Sequence, residues 1–358
     1  MGIFHCGTKI YTGDQALEVL RTFSAKKVLV VTDRFFSESG TALQIAKRVP
    51  GAQIEIFDQV TPDPAASLAA KGAAVCRTFE PDLLIALGGG SPMDCAKAIK
   101  LAYGEKLLFV AIPTTSGSGS EMTSFSILTH NGVKHPLIDE ALRPDAAILD
   151  GSLLQKLPST LIADTGMDLL AHCVEALAAK NRTAYTDALA LYGARTVLKK
   201  LERSFHGDRT VRLDIHEAAS MAGMAFDNAG LGACHALAHA IGGVFHIPHG
   251  RLCSILLPEV MAYNRPIGLP RYAMLARMCE LPAATDRLAV RNLIFLITRL
   301  QRTLLLPQTL HQAGVTKQQW EQEEETILQA ALEDPCCKTN PVPVTKEGLL
   351  EILKAVRP

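Results

Sequence analysis

Apolar residues recur at two different periods along the chain. In the first part, short continuous apolar runs alternate with helical stretches. Lys27-Val28-Leu29-Val30-Val31-Thr32-Asp33 predicts a buried strand with a polar end, and Gln53 to Val60 a second strand. An Ala-rich helical stretch over 64–79 follows Pro62 and Pro64. Asp82 to Leu87 predicts a third strand, ending in Gly88-Gly89-Gly90-Ser91. A helix then runs through Ala102, and Leu107 to Ile112 forms a fourth strand. Alternating strands and helices predict a mostly parallel sheet with helices on both faces. After about residue 152 the strand pattern stops. Helical periodicity takes over in 160–180, 184–204, 213–227, 231–245, 287–303 and 318–332, with Pro158 and Ser159 as a start signal for the first. The expected organisation is an α/β N-terminal domain over 1–155, followed by an all-α C-terminal domain over 156–358. No internal repeat or low-complexity segment interrupts it.

Composition narrows the class. The 358 residues carry 36 Lys+Arg and 36 Asp+Glu. That balance gives no basic excess for nucleic acid or a membrane surface. No apolar run is long enough to span a bilayer, and Met1 to Cys6 lacks the layout of a secretory signal. The nine cysteines are scattered, without a Cys-x-x-Cys. They read as reduced thiols of a cytoplasmic protein.

Two polar turns follow predicted strands. In Gly88-Gly89-Gly90-Ser91 the backbone can approach a ligand closely, and the first N–H groups of the next helix point at an anion such as a pyrophosphate. Pro113-Thr114-Thr115-Ser116-Gly117-Ser118-Gly119-Ser120-Glu121 follows the next strand with small hydroxyl residues suited to phosphate or ribose. Open α/β sheets bind ligands at such carboxyl ends. The Gly-x-Gly-x-x-Gly fingerprint is absent after the first strand, and either turn alone is compatible with simple chain reversal. Asp33 could accept hydrogen bonds from a ribose, but taken alone it reads as an ordinary strand-end turn residue.

The stronger signal lies in the helical half. Asp164, Asp168 and His172 recur at four-residue spacing and share one helix face. His235 and His239 are also four apart, and His249 follows. Of the eleven histidines, four lie within residues 235–249. Carboxylates with imidazoles suit a divalent first-row ion such as Fe²⁺ or Zn²⁺. A single histidine would read as a satisfied core residue. Two ionisable faces amid Ala, Gly and Leu are costly to bury without an ion or matched partners. Spacing does not choose between Asp164 and Asp168, or among the histidines.

Thr165-Gly166-Met167-Asp168-Leu169-Leu170-Ala171-His172-Cys173-Val174-Glu175-Ala176 resembles a signature of the iron-containing (group III) alcohol dehydrogenases. So do Gly230 to His239, Pro248-His249-Gly250, the two polar turns and Thr339-Asn340-Pro341. The resemblance covers essentially the whole chain. It implies a dehydroquinate synthase-like fold and an NAD-dependent alcohol dehydrogenase holding one divalent metal, Fe²⁺ with Zn²⁺ as the alternative. It implies Asp168, His172, His235 and His249 as ligands, with Asp164 a neighbour and His239 a catalytic histidine beside the nicotinamide. Asp33, Gly89, Gly90, Ser91, Thr114, Thr115, Ser118 and Lys134 match dinucleotide positions, Asp33 being the one associated with NAD over NADP. Phe226 and Cys336 match positions lining the substrate pocket. Ala171 departs from the family's usual Thr and removes a hydroxyl there.

Within the family, Ile10-Tyr11-Thr12-Gly13, Gly223-Met224-Ala225-Phe226 and Phe245 to His249 look most like the 1-propanol dehydrogenases of propanediol-utilisation microcompartments. That likeness implies reduction of a short aldehyde, propanal best, regenerating NAD. It also implies a homodimer or larger homo-oligomer, with an aldehyde dehydrogenase or a microcompartment shell as partner. The rival enzymes are a glycerol dehydrogenase acting on polyols and a dehydroquinate synthase-like lyase. The lyase needs Lys and Arg for an anionic substrate, whereas Ala, Leu, Met and Phe surround the candidate ligands here. A scaffold that kept only the fold would not need all four ligand types.

Overall fold

The computed structural model describes residues 2–104, 106–130 and 133–358. They divide into two compact units, Cys6–Lys156 and Leu157–Pro358, the latter joined by the N-terminal residues.

The first unit is built on six parallel strands: β1 (Lys9–Gly13), β2 (Lys27–Val31), β3 (Gln53–Phe57), β4 (Leu83–Gly88), β5 (Leu108–Pro113) and β8 (Ala146–Asp150). Their order is β1-β8-β5-β4-β2-β3, with Val28 beside Leu83 and Leu83 beside Leu108. Successive side chains point to opposite faces, so each strand feeds two cores. Leu29, Val31, Leu84, Ala86, Phe109 and Ala111 face one cluster, with Met93, Ala96 and Ile99. Val28, Val30, Leu83, Ile85, Val110 and Ile112 face the other, with Leu17, Leu20 and Ile45. The covering helices are α1 (Arg34–Glu38), α2 (Thr41–Ala46), α3 (Ala66–Phe79) and α4 (Gly90–Tyr103). After β3 the chain returns to the opposite side of β2. The strand order therefore reverses between β2 and β4, where Thr32–Asp33 and Gly88–Ser91 leave the sheet.

Three features differ from the sequence reading. Strands β1 and β8 extend the sheet, and β6 (Phe125–His130) pairs antiparallel with β7 (Val133–Ile138). Residues 2–5 leave the sheet unit. His5 N–H donates to Asn228 Oδ1 at 2.7 Å, Asn228 Nδ2 donates back to the His5 carbonyl at 3.0 Å, and Phe4 stacks on Tyr185.

The second unit is helical: α5 (Ser159–Ala178), α6 (Ala184–Phe205), α7 (Arg212–Ala229), α8 (Ala233–Phe245), α9 (His249–Met278), α10 (Asp286–Thr303), α11 (Lys317–Glu333) and α12 (Lys346–Leu353). Helix α5 packs against α6, α7 and α9, and is buried almost all round from Ile162 to Ala178, as expected of a central helix. It nevertheless carries Asp164, Asp168, His172 and Glu175 inside. No described helix is long and apolar enough to cross a membrane.

Candidate metal centre and nucleotide site

The candidate metal centre is assembled from α5, α8 and the first two turns of α9. Gly250 sets the approach of α9 to α5: a Cβ there would lie 2.0 Å from the Asp164 carbonyl oxygen. Only a residue without a side chain lets the two backbones come this close. Arg251 reinforces the junction, donating from Nε to Asp164 Oδ1 at 3.1 Å and from Nη2 to Oδ2 at 2.9 Å. Asp164, left open as a ligand by spacing alone, is thus engaged by a guanidinium.

One turn along α5, Asp168 Oδ1 faces His235 Nε2 at 3.7 Å and His249 Nε2 at 3.5 Å. Two donors each ~2.1 Å from one tetrahedral ion lie ~3.4 Å apart, so these separations suit a shared ion. Cys253 Sγ completes a group of four donor atoms that lie within 4.8 Å of one another. His172 stands outside that group. Its ring is sandwiched, with centroids 4.4 Å from His235 on one side and 4.4 Å from Phe226 on the other. Asp168 Oδ1 and His235 Nε2 are buried without a hydrogen-bond partner. Orphaned polar atoms of this kind are expensive unless something binds them, and a divalent cation fits both.

The carboxylate of Glu175 aims His235. Its Oε2 lies 2.5 Å from His235 Nδ1, and its Oε1 accepts the Cys234 N–H at 2.8 Å. An Nδ1–H held this way leaves the Nε2 lone pair for an ion. The same contact caps α8, whose N-cap Gly232 has no side chain to offer. Asn340 Oδ1 accepts the Ala233 N–H at 3.1 Å, and Asn340 exchanges hydrogen bonds with Asn264. The Thr339-Asn340-Pro341 segment thus fixes the start of the helix bearing His235.

Charge in the cluster follows from these contacts. Burial opposes ionisation of Asp168, but His172, His249 and His235 hold its carboxyl well below the usual range. Burial also disfavours a charge on His235, yet the Asp168 and Glu175 carboxylates outweigh it and lift it to about 10. His249 is driven well below its usual value by burial, which outweighs Asp168, and the neighbouring imidazoles add to the fall. The two carboxylates around His235 thus favour positive charge at this spot, a preference that a bound cation would also satisfy.

His239 lies beside this centre, its ring stacked on His249 with centroids 5.1 Å apart. Its Nδ1 is 2.8 Å from Asp334 Oδ2, while Asp334 Oδ1 accepts the Cys336 N–H at 2.8 Å. Burial raises the Asp334 carboxyl, but His239 and the Cys336 N–H outweigh it and take it down to about 2. The sequence reading did not single out the roles of Glu175, Asp334 and Cys253. Spacing could have flagged two of them: Glu175 follows Asp168 by seven residues and Cys253 follows His249 by four, each on one helix face.

In the first unit, Gly88 closes β4 with φ +147°, and a Cβ there would lie 2.4 Å from Pro92. Gly89 then caps α4 without a side chain. A Cβ on Gly89 would lie 3.1 Å from Thr115 Oγ1, and one on Gly90 3.5 Å from Ser118, so the two polar turns meet. Thr114 N–H donates to the Gly88 carbonyl at 2.9 Å. Lys97, fully buried, fastens the second turn: its Nζ donates to Ser120 Oγ, Thr123 Oγ1 and the Phe125 carbonyl at 3.0, 2.7 and 2.8 Å. Ser91 is half-buried at the helix start. Asp33 caps α1, accepting the Phe36 N–H at 3.2 Å, beside Thr32, whose hydroxyl donates to the Leu87 carbonyl at 2.8 Å. Lys134 falls in β7, but its side chain lies outside the described residues.

A doubly wound parallel-sheet unit followed by a helical unit with a carboxylate–imidazole cluster is an architecture that metal- and nicotinamide-dependent dehydrogenases use. The chain belongs to the iron-containing alcohol dehydrogenase family. Residues 7–151 match the family model for iron-containing alcohol dehydrogenase, and residues 162–357 match that for the C-terminal part of the Fe-containing alcohol dehydrogenase family. The 1-propanol dehydrogenase PduQ of Citrobacter freundii is 38% identical, with 99% of each chain covered. The NADPH-dependent butanol dehydrogenase of Clostridium saccharobutylicum is 36% identical over 97% of this chain and 96% of its own. Among solved structures, an iron-containing alcohol dehydrogenase of Thermococcus thioreducens superposes with a TM-score of 0.92 at 30% identity, covering 99% of both chains.

Proposed function

We propose that this dehydrogenase uses NADH to reduce a short, uncharged aldehyde, propanal best, to the primary alcohol. The observation carrying this reading is the convergence of Asp168, His235 and His249, with two buried atoms lacking partners, beside the apolar face of Phe226. Asp168, His172, His235 and His249 are the proposed ligands of one Fe²⁺ or Zn²⁺. A bound divalent ion supplies Lewis-acid polarisation of the substrate oxygen, and a bound nicotinamide supplies or accepts the hydride. Glu175 keeps His235 in the tautomer that presents Nε2. Asp334 orients His239 so that its other nitrogen can deliver a proton to, or take one from, the substrate oxygen. Phe226 is only 3% exposed and limits the room beside His172.

The polar turns at β4 and β5 suit the pyrophosphate of a dinucleotide, and Asp33 at the switch point suits a ribose with a free 2′-hydroxyl. The likeness to 1-propanol dehydrogenases supports reduction as the working direction and residence in a microcompartment beside an aldehyde dehydrogenase. The test is nicotinamide absorbance with C2 to C6 aldehydes, using NADH and NADPH on metal-loaded protein. Highest kcat/KM for NADH with a C2–C4 aldehyde is expected. Preference for aromatic, charged or polyol substrates would overturn the reading.

A further inference from the structure

Cys253 sits one helical turn beyond His249 on α9 and is fully buried. Its Sγ lies 3.5 Å from His249 Nε2, the same ring atom that faces Asp168 Oδ1 at 3.5 Å. Sulfur and imidazole bound to one ion at ~2.3 and ~2.05 Å, with an angle of ~110° between them, would be ~3.6 Å apart. The thiol therefore occupies a donor's place relative to His249. The other thiol nearby, that of Cys234, has its Sγ 3.5 Å from the Cys253 carbonyl and also hydrogen-bonds the Cys253 thiol. Independently of either thiol, Asp168 Oδ1 and His235 Nε2 are aimed into the same space, without hydrogen bonds, from residues 7% and 1% exposed.

We propose that Cys253 Sγ is a fifth protein donor of the metal centre, adding a soft sulfur to the carboxylate and the three imidazoles, so that the ion is more than four-coordinate. The inference rests on the metal reading above. As the sulfur–metal bond forms, the thiol proton leaves to solvent and nothing is oxidised. A thiolate donor selects Zn²⁺ over Fe²⁺ and Mn²⁺ more strongly than nitrogen and oxygen ligands alone.

X-ray absorption on the zinc-loaded wild-type protein tests this without any variant: a sulfur scatterer at ~2.3 Å is expected beside the nitrogen and oxygen shell. The cobalt-substituted protein should show a near-ultraviolet sulfur-to-cobalt charge-transfer band. Cys253→Ser and Cys253→Ala should lose the band while still taking up Co²⁺, with Zn²⁺ affinity reduced tenfold or more. Cys234→Ser should keep it. A zinc shell of nitrogen and oxygen alone, or a band that survives in both Cys253 variants, overturns the proposal and leaves the metal reading standing. Wild-type protein that takes up neither Zn²⁺ nor Co²⁺ overturns both.

Discussion

Glu175 Oε2 lies 2.5 Å from His235 Nδ1, although 60 residues separate them in sequence. The contact joins the C-terminal end of α5 to the first turn of α8 and does two things at once. It fixes which imidazole nitrogen faces Asp168, and it satisfies the Cys234 N–H at a helix start that has no capping side chain of its own.

Glu175→Gln should therefore damage metal binding before it damages the fold. Replacing a carboxylate that orients a metal-bound imidazole typically lowers affinity about 10–100-fold. The amide still offers an oxygen to the Cys234 N–H. Glu175→Ala removes that acceptor too, adding about 1–3 kcal/mol for a buried donor left unpaired. Zinc competition titrations and urea unfolding of both variants separate the two effects. Equal metal affinity in Glu175→Gln and wild type would dismiss the orienting role.

Much of this was legible before the structure. The strands at 27–31, 83–88 and 108–113 were visible because both faces are buried and the runs are continuously apolar. Strand β1 was not: Lys9-Ile10-Tyr11-Thr12-Gly13 is a mostly exposed edge strand, with no apolar run to betray it. Strand β8 begins with two alanines, which have weak β preference, and is held by the neighbours that bury it. Helix α9 hid behind Pro258, Pro266 and Pro270. In the site, residues one turn apart on a single helix were readable as a set. Contacts made across the fold, such as Glu175 with His235 or Asp334 with His239, have no local period and became visible only once the helices were packed.

Removing the ion should abolish activity without unfolding the protein. Chelation, or His249→Ala, should leave α5, α8 and α9 packed as they are, because Glu175 joins α5 to α8, Arg251 joins α9 to α5, and Asn340 ties the start of α8 to α9, all independently of any ion. Stability should still fall, since a ligand bound only to the native state contributes ~4 kcal/mol at a thousandfold excess over Kd. Circular dichroism before and after chelation, thermal melts, and re-addition of Fe²⁺ or Zn²⁺ check this. Loss of helical signal on chelation at room temperature would mean that the ion organises the unit itself.

Asp334→Asn should lower kcat more than it changes aldehyde KM, because it removes the anion that orients His239 without touching the apolar side of the pocket. Its effect on stability should depend on pH. The carboxyl lies at about 2 in the folded protein, below its ordinary value of ~3.9. Its stabilising contribution is therefore complete above roughly pH 4 and fades as the pH falls through about 2. Melting curves of wild type and Asp334→Asn should differ at pH 6 and draw together towards pH 2. A constant difference across that range would assign the stabilisation to packing.

NADH should be preferred to NADPH, and Asp33 is the residue to test. Asp33→Gly mixes two effects, because Asp33 also caps α1 through the Phe36 N–H. Asp33→Asn keeps an acceptor for that N–H and removes only the negative charge. The NADH to NADPH ratio of kcat/KM should shrink in Asp33→Asn, with little loss of thermal stability. An unchanged ratio would place discrimination elsewhere, and the NADPH-dependent butanol dehydrogenase among the relatives makes that a real alternative.

Phe226 should set the length of aldehyde accepted. Its ring lies flat against His172, 4.4 Å between centroids and only 20° from parallel, so it cannot swing aside without breaking that stack. Phe226→Ala opens a space next to a proposed ligand, where a longer alkyl chain can lie. Each methylene accommodated in an apolar pocket is worth ~1–3 kcal/mol, so the gain should be graded along the series. In wild type, kcat/KM should peak between C2 and C4. In Phe226→Ala the peak should move towards C5 and C6, while propanal turnover falls because the short substrate is held less tightly. Measuring the series on both proteins at equal metal content separates a change of shape from loss of the ion. If the two profiles remain parallel, Phe226 supports His172 and does not bound the substrate.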